Sequence, residues 1–196
     1  MNTPPADRKK ELRAEIRSRL ASLDGNRQKD LSARARELLE GQGIWREAQS
    51  ILFYAPLRDE VDVLPLIEVA LGQNKIPSLP RYVPESDSYV AFQVRNPSLD
   101  CAPGKFGIFE PGAACVPQPL NRLDLVLVPG VGFDVSGGRL GRGRGFYDRL
   151  LAGVSGVKCG VAFDLQLTEA IPMEPHDVRL DCILTPTRWI EVRRSV

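Results

Sequence analysis

Near the start of the chain Leu12, Ile16 and Leu20 recur every four residues, a spacing that stacks apolar side chains along one face of a helix. Asp7 is placed to cap that helix and Asp24-Gly25 to stop it. A second helix is predicted from about residue 27 to residue 39, closed by Gly41-Gln42-Gly43. The period then changes: residues 50–55 read as a buried strand, 63–71 as a helix ended by Gly72, and 75–79 as the next strand. Residues 89–94 alternate like an edge strand. Residues 123–128 are nearly continuously apolar, which predicts a central strand, and Pro129-Gly130 ends it sharply. Residues 146–151 read as a helix, and 157–163, 180–185 and 189–192 as further strands. Alternating strand and helix is the grammar of a parallel sheet, so an α/β fold is expected, with ligands at the carboxyl ends of its strands. The Pro/Gly-rich stretch 96–119 reads as a long connection with one short strand at 107–109, an excursion over the ligand cleft.

Composition narrows the function classes. At 196 residues and 43% hydrophobic content the chain can bury one substantial core, so a single domain is expected, with disorder confined to residues 1–6. The 26 basic and 25 acidic residues leave a net charge of +1, which gives no bulk attraction to nucleic acid or membrane; an anion site has to be local. Residues 1–7 lack the apolar core of a signal peptide and no run approaches a membrane span, so a soluble cytoplasmic protein is expected. Cys101, Cys115, Cys159 and Cys182 form no C-x-x-C pair and the only histidine is His176, which points away from a zinc site, a disulfide framework or Ser/His and Cys/His catalysis. An enzyme of this composition works by positioning and electrostatics.

The candidate chemistry lies in residues 137–149, which combine five glycines, four arginines and Asp148 just after the apolar strand. Glycines let backbone N–H groups approach phosphate oxygens, arginines supply fixed charge in a fork, and a carboxylate can hold the Mg²⁺ that accompanies ATP. The spacing is neither a Walker A loop nor G-x-G-x-x-G. What it supports is anion binding by Arg139, Arg142 and Arg144 with amides from Gly141, Gly143 and Gly145. Lys9, Arg13 and Arg17 form a second basic stripe beside the apolar face of the first helix. From the residues alone, a flexible solvated loop and an arginine-rich RNA-binding module stay open beside the phosphate site, the balanced charge weighing against RNA.

Residues 128–134 (Val-Pro-Gly-Val-Gly-Phe-Asp) followed by 138–149 (Gly-Arg-Leu-Gly-Arg-Gly-Arg-Gly-Phe-Tyr-Asp-Arg) resemble the signature of the 5-formyltetrahydrofolate cyclo-ligase (5,10-methenyltetrahydrofolate synthetase) family. The resemblance extends to residues 9–13, 54–62, 79–81 and 160–166, and to His176, Asp177 and Asp181, so it runs nearly the whole chain in order. It implies a single-domain, three-layer α/β/α fold with a mostly parallel sheet (NagB/RpiA/CoA transferase-like). The implied activity is ATP- and Mg²⁺-dependent cyclisation of 5-formyltetrahydrofolate to 5,10-methenyltetrahydrofolate, with a paralogue that binds folate or nucleotide without catalysis as the alternative. By resemblance Lys9, Arg13 and the run Arg139, Leu140, Gly141, Arg142, Gly143, Arg144, Gly145, Phe146 and Tyr147 bind ATP. Residues Arg142 to Phe146 also face the folate together with Ala55 and Glu60, the latter on the pterin ring; Arg144 and Tyr147 are the catalytic pair, and Asp148 and Asp181 ligate Mg²⁺. The implied partners are small molecules, not nucleic acid or membrane, for a monomer or homodimer. Two departures stand out: Phe146 lacks a hydroxyl that many members carry, and Ala55 is small for a pterin contact, which Tyr54 or Pro56 would then make.

Overall fold

The computed structural model describes residues 5–104 and 107–193. Helix α1 (Pro5–Leu20) buries Leu12, Ile16 and Leu20 to 4% exposure or less. Disorder through residue 6 was expected, but Pro5 and Ala6 open this helix, since proline suits a first turn whose N–H groups have no intrahelical partner; residues 1–4 lie outside the described chain. Asp7 sits inside the first turn, not at the cap. Asp24 likewise starts rather than stops a helix: it is the N-cap of α2 (Gly25–Glu40), accepting from the Arg27 N–H at 2.8 Å. A short helix α3 (Gly43–Glu47), which no sequence period marks, buries Trp45.

Strand β1 (Ser50–Leu52), helix α4 (Pro65–Gly72) and strands β2 (Ile76–Val83) and β3 (Ser88–Gln93) follow. The long connection is more ordered than its composition suggests. It carries a one-turn helix α5 (Pro97–Asp100) and a hairpin of β4 (Cys101–Pro103) with β5 (Phe109–Pro111), the second strand lying two residues later than expected. Arg81 on β2 ties the hairpin down, donating to the Gly112 carbonyl at 2.7 Å while stacking 3.7 Å above the Phe92 ring. Next come β6 (Leu125–Val128), a two-stranded ribbon of β7 (Gly132–Phe133) and β8 (Arg139–Leu140), helix α6 (Phe146–Leu151), and strands β9 (Val157–Val161), β10 (Cys182–Leu184) and β11 (Trp189–Glu191).

Seven strands form the main sheet in the order β11-β10-β9-β6-β1-β2-β3, parallel through its five central members and closed by antiparallel β11 and β3. Strand alternation divides the core in two. Ile51, Leu125, Leu127, Cys159, Val161, Cys182 and Leu184 pack with the apolar faces of α1 to α4. Leu52, Val126, Val128 and Ile183 point the other way, onto Leu150 and Leu151 of α6. The result is the expected three-layer α/β/α sandwich. Among the described residues no helix is long and apolar enough to cross a membrane.

One close approach lies beneath α1. A Cβ placed on Gly132 would meet Cδ1 of Ile16, so glycine lets that side chain lie flat against the β7–β8 ribbon without shifting. Burying Leu12, Ile16 and Leu20 there contributes on the order of 1.5–3 kcal/mol per side chain. The basic positions of α1 are thereby carried to the carboxyl ends of β1 and β6.

Candidate active site

At those strand ends lies a cleft of about 580 Å³. Its walls hold Lys9 and Arg13 from α1, Ala55 and Glu60 from the segment after β1, and every residue from Arg139 to Asp148. Apart from Asp181 and the alternative pterin contacts Tyr54 and Pro56, all residues singled out in the sequence for ATP, folate or metal therefore line one space.

The glycine-arginine loop is held at its base by Asp134. This buried carboxylate accepts from the N–H groups of Ser136 (2.8 Å), Gly138 (3.0 Å) and Ile171 (2.8 Å), closing the turn between β7 and β8. Gln166, also buried, donates to the Gly130 carbonyl at 2.7 Å and so fixes the chain leaving β6. Beyond β8, Gly143 (φ 96°) and Gly145 (φ 64°) take left-handed backbone that a side chain would strain. Arg13 anchors the loop from the helix side, its Nε donating to the Gly141 carbonyl at 2.9 Å.

Each cation of the cleft has a different setting. Arg139 is buried, with Nη2 2.8 Å from Asp148 Oδ2 and its carbon 5.7 Å from the Tyr147 ring centre. Its Nε is buried without a hydrogen-bond partner among the described residues, so one strong donor is left over beside the cleft. Lys9 is also buried, with Nζ 2.7 Å from both Glu174 Oε2 and Asp177 Oδ2. Burial by itself would lower the Lys9 pKa, but the hydrogen bonds and charges of Asp177 and Glu174 outweigh it and hold the pKa above the ordinary lysine value. Arg142 reaches across the cleft to Asp59 (2.6 Å) and Glu60 (2.9 Å). Arg144 is exposed at the rim. Arg17, the third member of the stripe, is exposed and does not line the cleft.

Glu60 has only 7% of its side chain exposed. One oxygen accepts from the Leu57 N–H at 2.9 Å and the other faces Arg142. Burial raises its pKa, and the Leu57 N–H and Arg142 only partly offset this. Burial likewise pushes the Tyr147 phenol upward, which keeps it a neutral hydroxyl. Phe146 stands edge-on to Tyr89 at 5.3 Å and Tyr82 at 5.8 Å, so the ring completes an aromatic cluster without the hydroxyl.

Two expectations are corrected. Tyr54 does not face a ligand: it is 1% exposed and its hydroxyl donates to the Val61 carbonyl at 2.7 Å, inside the core. Pro56 does not line the cleft either, and Ala55 does. Asp181 precedes β10, at the amino end of the parallel strands and away from the cleft; its carboxylate accepts from the Lys158 N–H at 2.9 Å and links two strands. The acids of this segment that do line the cleft are Glu174 and Asp177, seven and four residues earlier. The N–H of Val178, the residue after Asp177, points at Asp148 Oδ1 at 3.5 Å. Three acids within eight residues (Glu174, Asp177, Asp181) cannot be told apart by spacing; Lys9, which pairs with the first two and so sets them apart from Asp181, is 168 residues from Asp177. Glu174, His176 and Asp177 also bring their ligating atoms within 4.8 Å of one another.

Comparison with known proteins agrees with this geometry. The model of the 5-formyltetrahydrofolate cyclo-ligase family matches residues 5–186. The 5-formyltetrahydrofolate cyclo-ligase of Haemophilus influenzae is 34% identical over 192 residues, covering 94% of this chain and 99% of the relative. That of Escherichia coli is 32% identical, covering 88% and 97%. Among solved structures, the 5,10-methenyltetrahydrofolate synthetase of Aquifex aeolicus superposes with a TM-score of 0.85 at 31% identity, covering 96% of this chain and 94% of the other.

Proposed function

The chain belongs to the 5-formyltetrahydrofolate cyclo-ligase family, and from that membership and the cleft we infer that it cyclises 5-formyltetrahydrofolate to 5,10-methenyltetrahydrofolate, converting ATP to ADP and phosphate. One observation carries it: Glu60 and the basic residues of α1 and the loop line the same cleft, so a pterin and a triphosphate can meet. A formamide oxygen is a poor leaving group. Attack of that oxygen on the γ-phosphorus breaks the bond to ADP and leaves a phosphorylated imidate. The secondary amine beside the pterin then attacks the formyl carbon, and the carbon–oxygen bond breaks as phosphate departs, carrying the amine's proton. None of the four cysteines lines the cleft and His176 stands 69% exposed at its rim, which suits a reaction run by alignment and charge neutralisation without a protein nucleophile.

In this scheme Lys9 and Arg13 hold ATP phosphates from α1, with Arg139 beside them on the loop. Leu140 and the amides of Gly141, Gly143 and Gly145 complete the cradle. Arg142 and Arg144 neutralise the transferring group, with Tyr147 as a neutral donor beside them. Glu60 receives the pterin N–H groups, with Ala55 and the Phe146 ring forming the apolar surfaces. A hard divalent cation takes oxygen ligands and one or two carboxylates; Asp148 and, beside His176, Glu174 and Asp177 line the cleft to offer them, and Asp181 does not. Bound there, Mg²⁺ would neutralise phosphate charge.

The full reading is a cytoplasmic, single-domain enzyme, monomeric or homodimeric, that takes small molecules. Pairing of Arg139 and Arg142 with carboxylates favours a small anion over RNA. The test is spectrophotometric: 5-formyltetrahydrofolate with MgATP is expected to yield the methenyl chromophore at the rate ADP forms. Folded protein that binds both ligands and yields neither product would instead be the non-catalytic paralogue.

A further inference from the structure

Arg142 bridges to two carboxylates on the opposite wall. Its Nη2 lies 2.6 Å from Asp59 Oδ1 and 2.9 Å from Glu60 Oε1, and its Nε lies 3.3 Å from the same Glu60 oxygen. The two acids are not equivalent. Glu60 is buried and lines the cleft, so its Oε1 is the atom a pterin donor has to reach; Asp59, with 33% of its side chain exposed, does not line the cleft. Arriving pterin N–H groups compete with Arg142 for Glu60 Oε1, and a guanidinium with no second hold would then be free to swing on a loop whose next residue, Gly143, has left-handed backbone.

We propose that Asp59 is a positioning residue: it retains Arg142 when folate takes over Glu60, and so keeps the guanidinium at the point where the formyl oxygen meets the γ-phosphate. The fork geometry of arginine permits this, because Nη2 can stay on Asp59 while the remaining N–H groups turn to phosphate. Asp59 touches neither reactant and acts only through Arg142. The backbone of the loop is held independently by Arg13 on Gly141, so losing Asp59 frees the side chain of Arg142 and leaves its main chain in place. This rests on the cyclo-ligase reading above.

The test is a double-mutant cycle in the full chain, following methenyl formation. Asp59→Asn is expected to lower kcat about tenfold with the KM for ATP little changed, the effect of a catalytic group slightly out of alignment. Asp59→Glu, which keeps the charge, is expected to recover most of that loss. In Arg142→Ala, removal of Asp59 as well is expected to cost nothing further, because a positioning residue has nothing left to position. An unchanged kcat in Asp59→Asn overturns the proposal. So does an additive loss in the double variant, which would mean that Asp59 acts without Arg142. So does failure of Asp59→Glu to recover any rate. A wild-type chain that forms no methenyl product refutes the cyclo-ligase reading itself, a result distinct from each of these.

Discussion

The cleft has two basic ends, each a cation held by two carboxylates, and they are built from opposite materials. At one end Lys9 rides on a 16-residue helix seated by Leu12, Ile16 and Leu20, with its side chain 11% exposed. At the other, Arg142 hangs from a glycine loop, 35% exposed. The acids facing them behave oppositely as well. Burial pushes the Asp177 carboxyl up, but hydrogen bonds from Lys9 and the Glu174 N–H more than reverse this and hold its pKa low; at Glu60 burial wins and the pKa is raised. An ion pair on a fixed helix thus stabilises the fold, whereas the pair across the loop keeps a strained acid in reserve for a ligand. The fixed end suits phosphates that bind alike in ground and transition states; the movable end suits the group in transfer.

Substitutions can break this contrast, beginning with the largest expected effect. Arg142→Ala is expected to lower kcat about a hundredfold, the loss of one preorganised donor, as is Arg144→Ala, since Arg144 lines the cleft from the same loop. Lys9→Met is expected to act differently, raising the KM for ATP about tenfold with a smaller change in kcat, since the binding it removes is uniform. Steady-state kinetics in both substrates separates the two; equal kcat losses at both ends would erase the distinction. The carboxylates come next. Asp177 has a depressed folded pKa, so its contribution is present above the unfolded value near 3.9 and is lost as pH falls through the folded one. Lys9 has a raised pKa, so its share is present below about 10.4 and is lost as pH rises through the folded value. Asp177→Asn is therefore expected to destabilise the protein by about 1–2 kcal/mol at neutral pH and to flatten the acid limb of a melting curve. Glu60 has the opposite sign: its stability is greatest while protonated and declines as pH rises from the unfolded value near 4.3 through the raised folded one. Glu60→Gln is expected to raise Tm at pH 7 by about 2–4 °C while weakening folate binding, and a fall in Tm would show Glu60 to be structural. Smallest of all, Arg17→Ala, on the same helix but outside the cleft, is expected to change neither stability by more than about 0.5 kcal/mol nor kinetics.

Periodicity made the layers legible. The Leu12/Ile16/Leu20 stripe and the alternating edge strand β3 emerged because one face of each is buried and the other differs from it, and the run now seen as β6 because both of its faces are buried. Caps were harder: Asp24 ends nothing and begins α2, since an aspartate between two helices carries the same local signal either way. Within the site, residues contiguous in the loop were readable because glycine and arginine together have few other uses. Asp177 and Asp59 were not, because each matters through a cation that the fold brings from 168 or 83 residues away. Tyr54 shows the converse, an aromatic in a recognisable motif whose hydroxyl is consumed by the Val61 carbonyl.

The fit of Ile16 over Gly132 has a mechanical meaning. Lys9 lies seven residues before that contact, about 10 Å along the helix axis, so the contact is a pivot and α1 is a lever arm. A tilt of about 5° at the pivot moves the ammonium by roughly 1 Å, a displacement of the size that costs a hundredfold in rate when it misplaces a reacting group. The packing of Leu12, Ile16 and Leu20 beneath the helix therefore sets the angle at which the amino-terminal segment aims its charge.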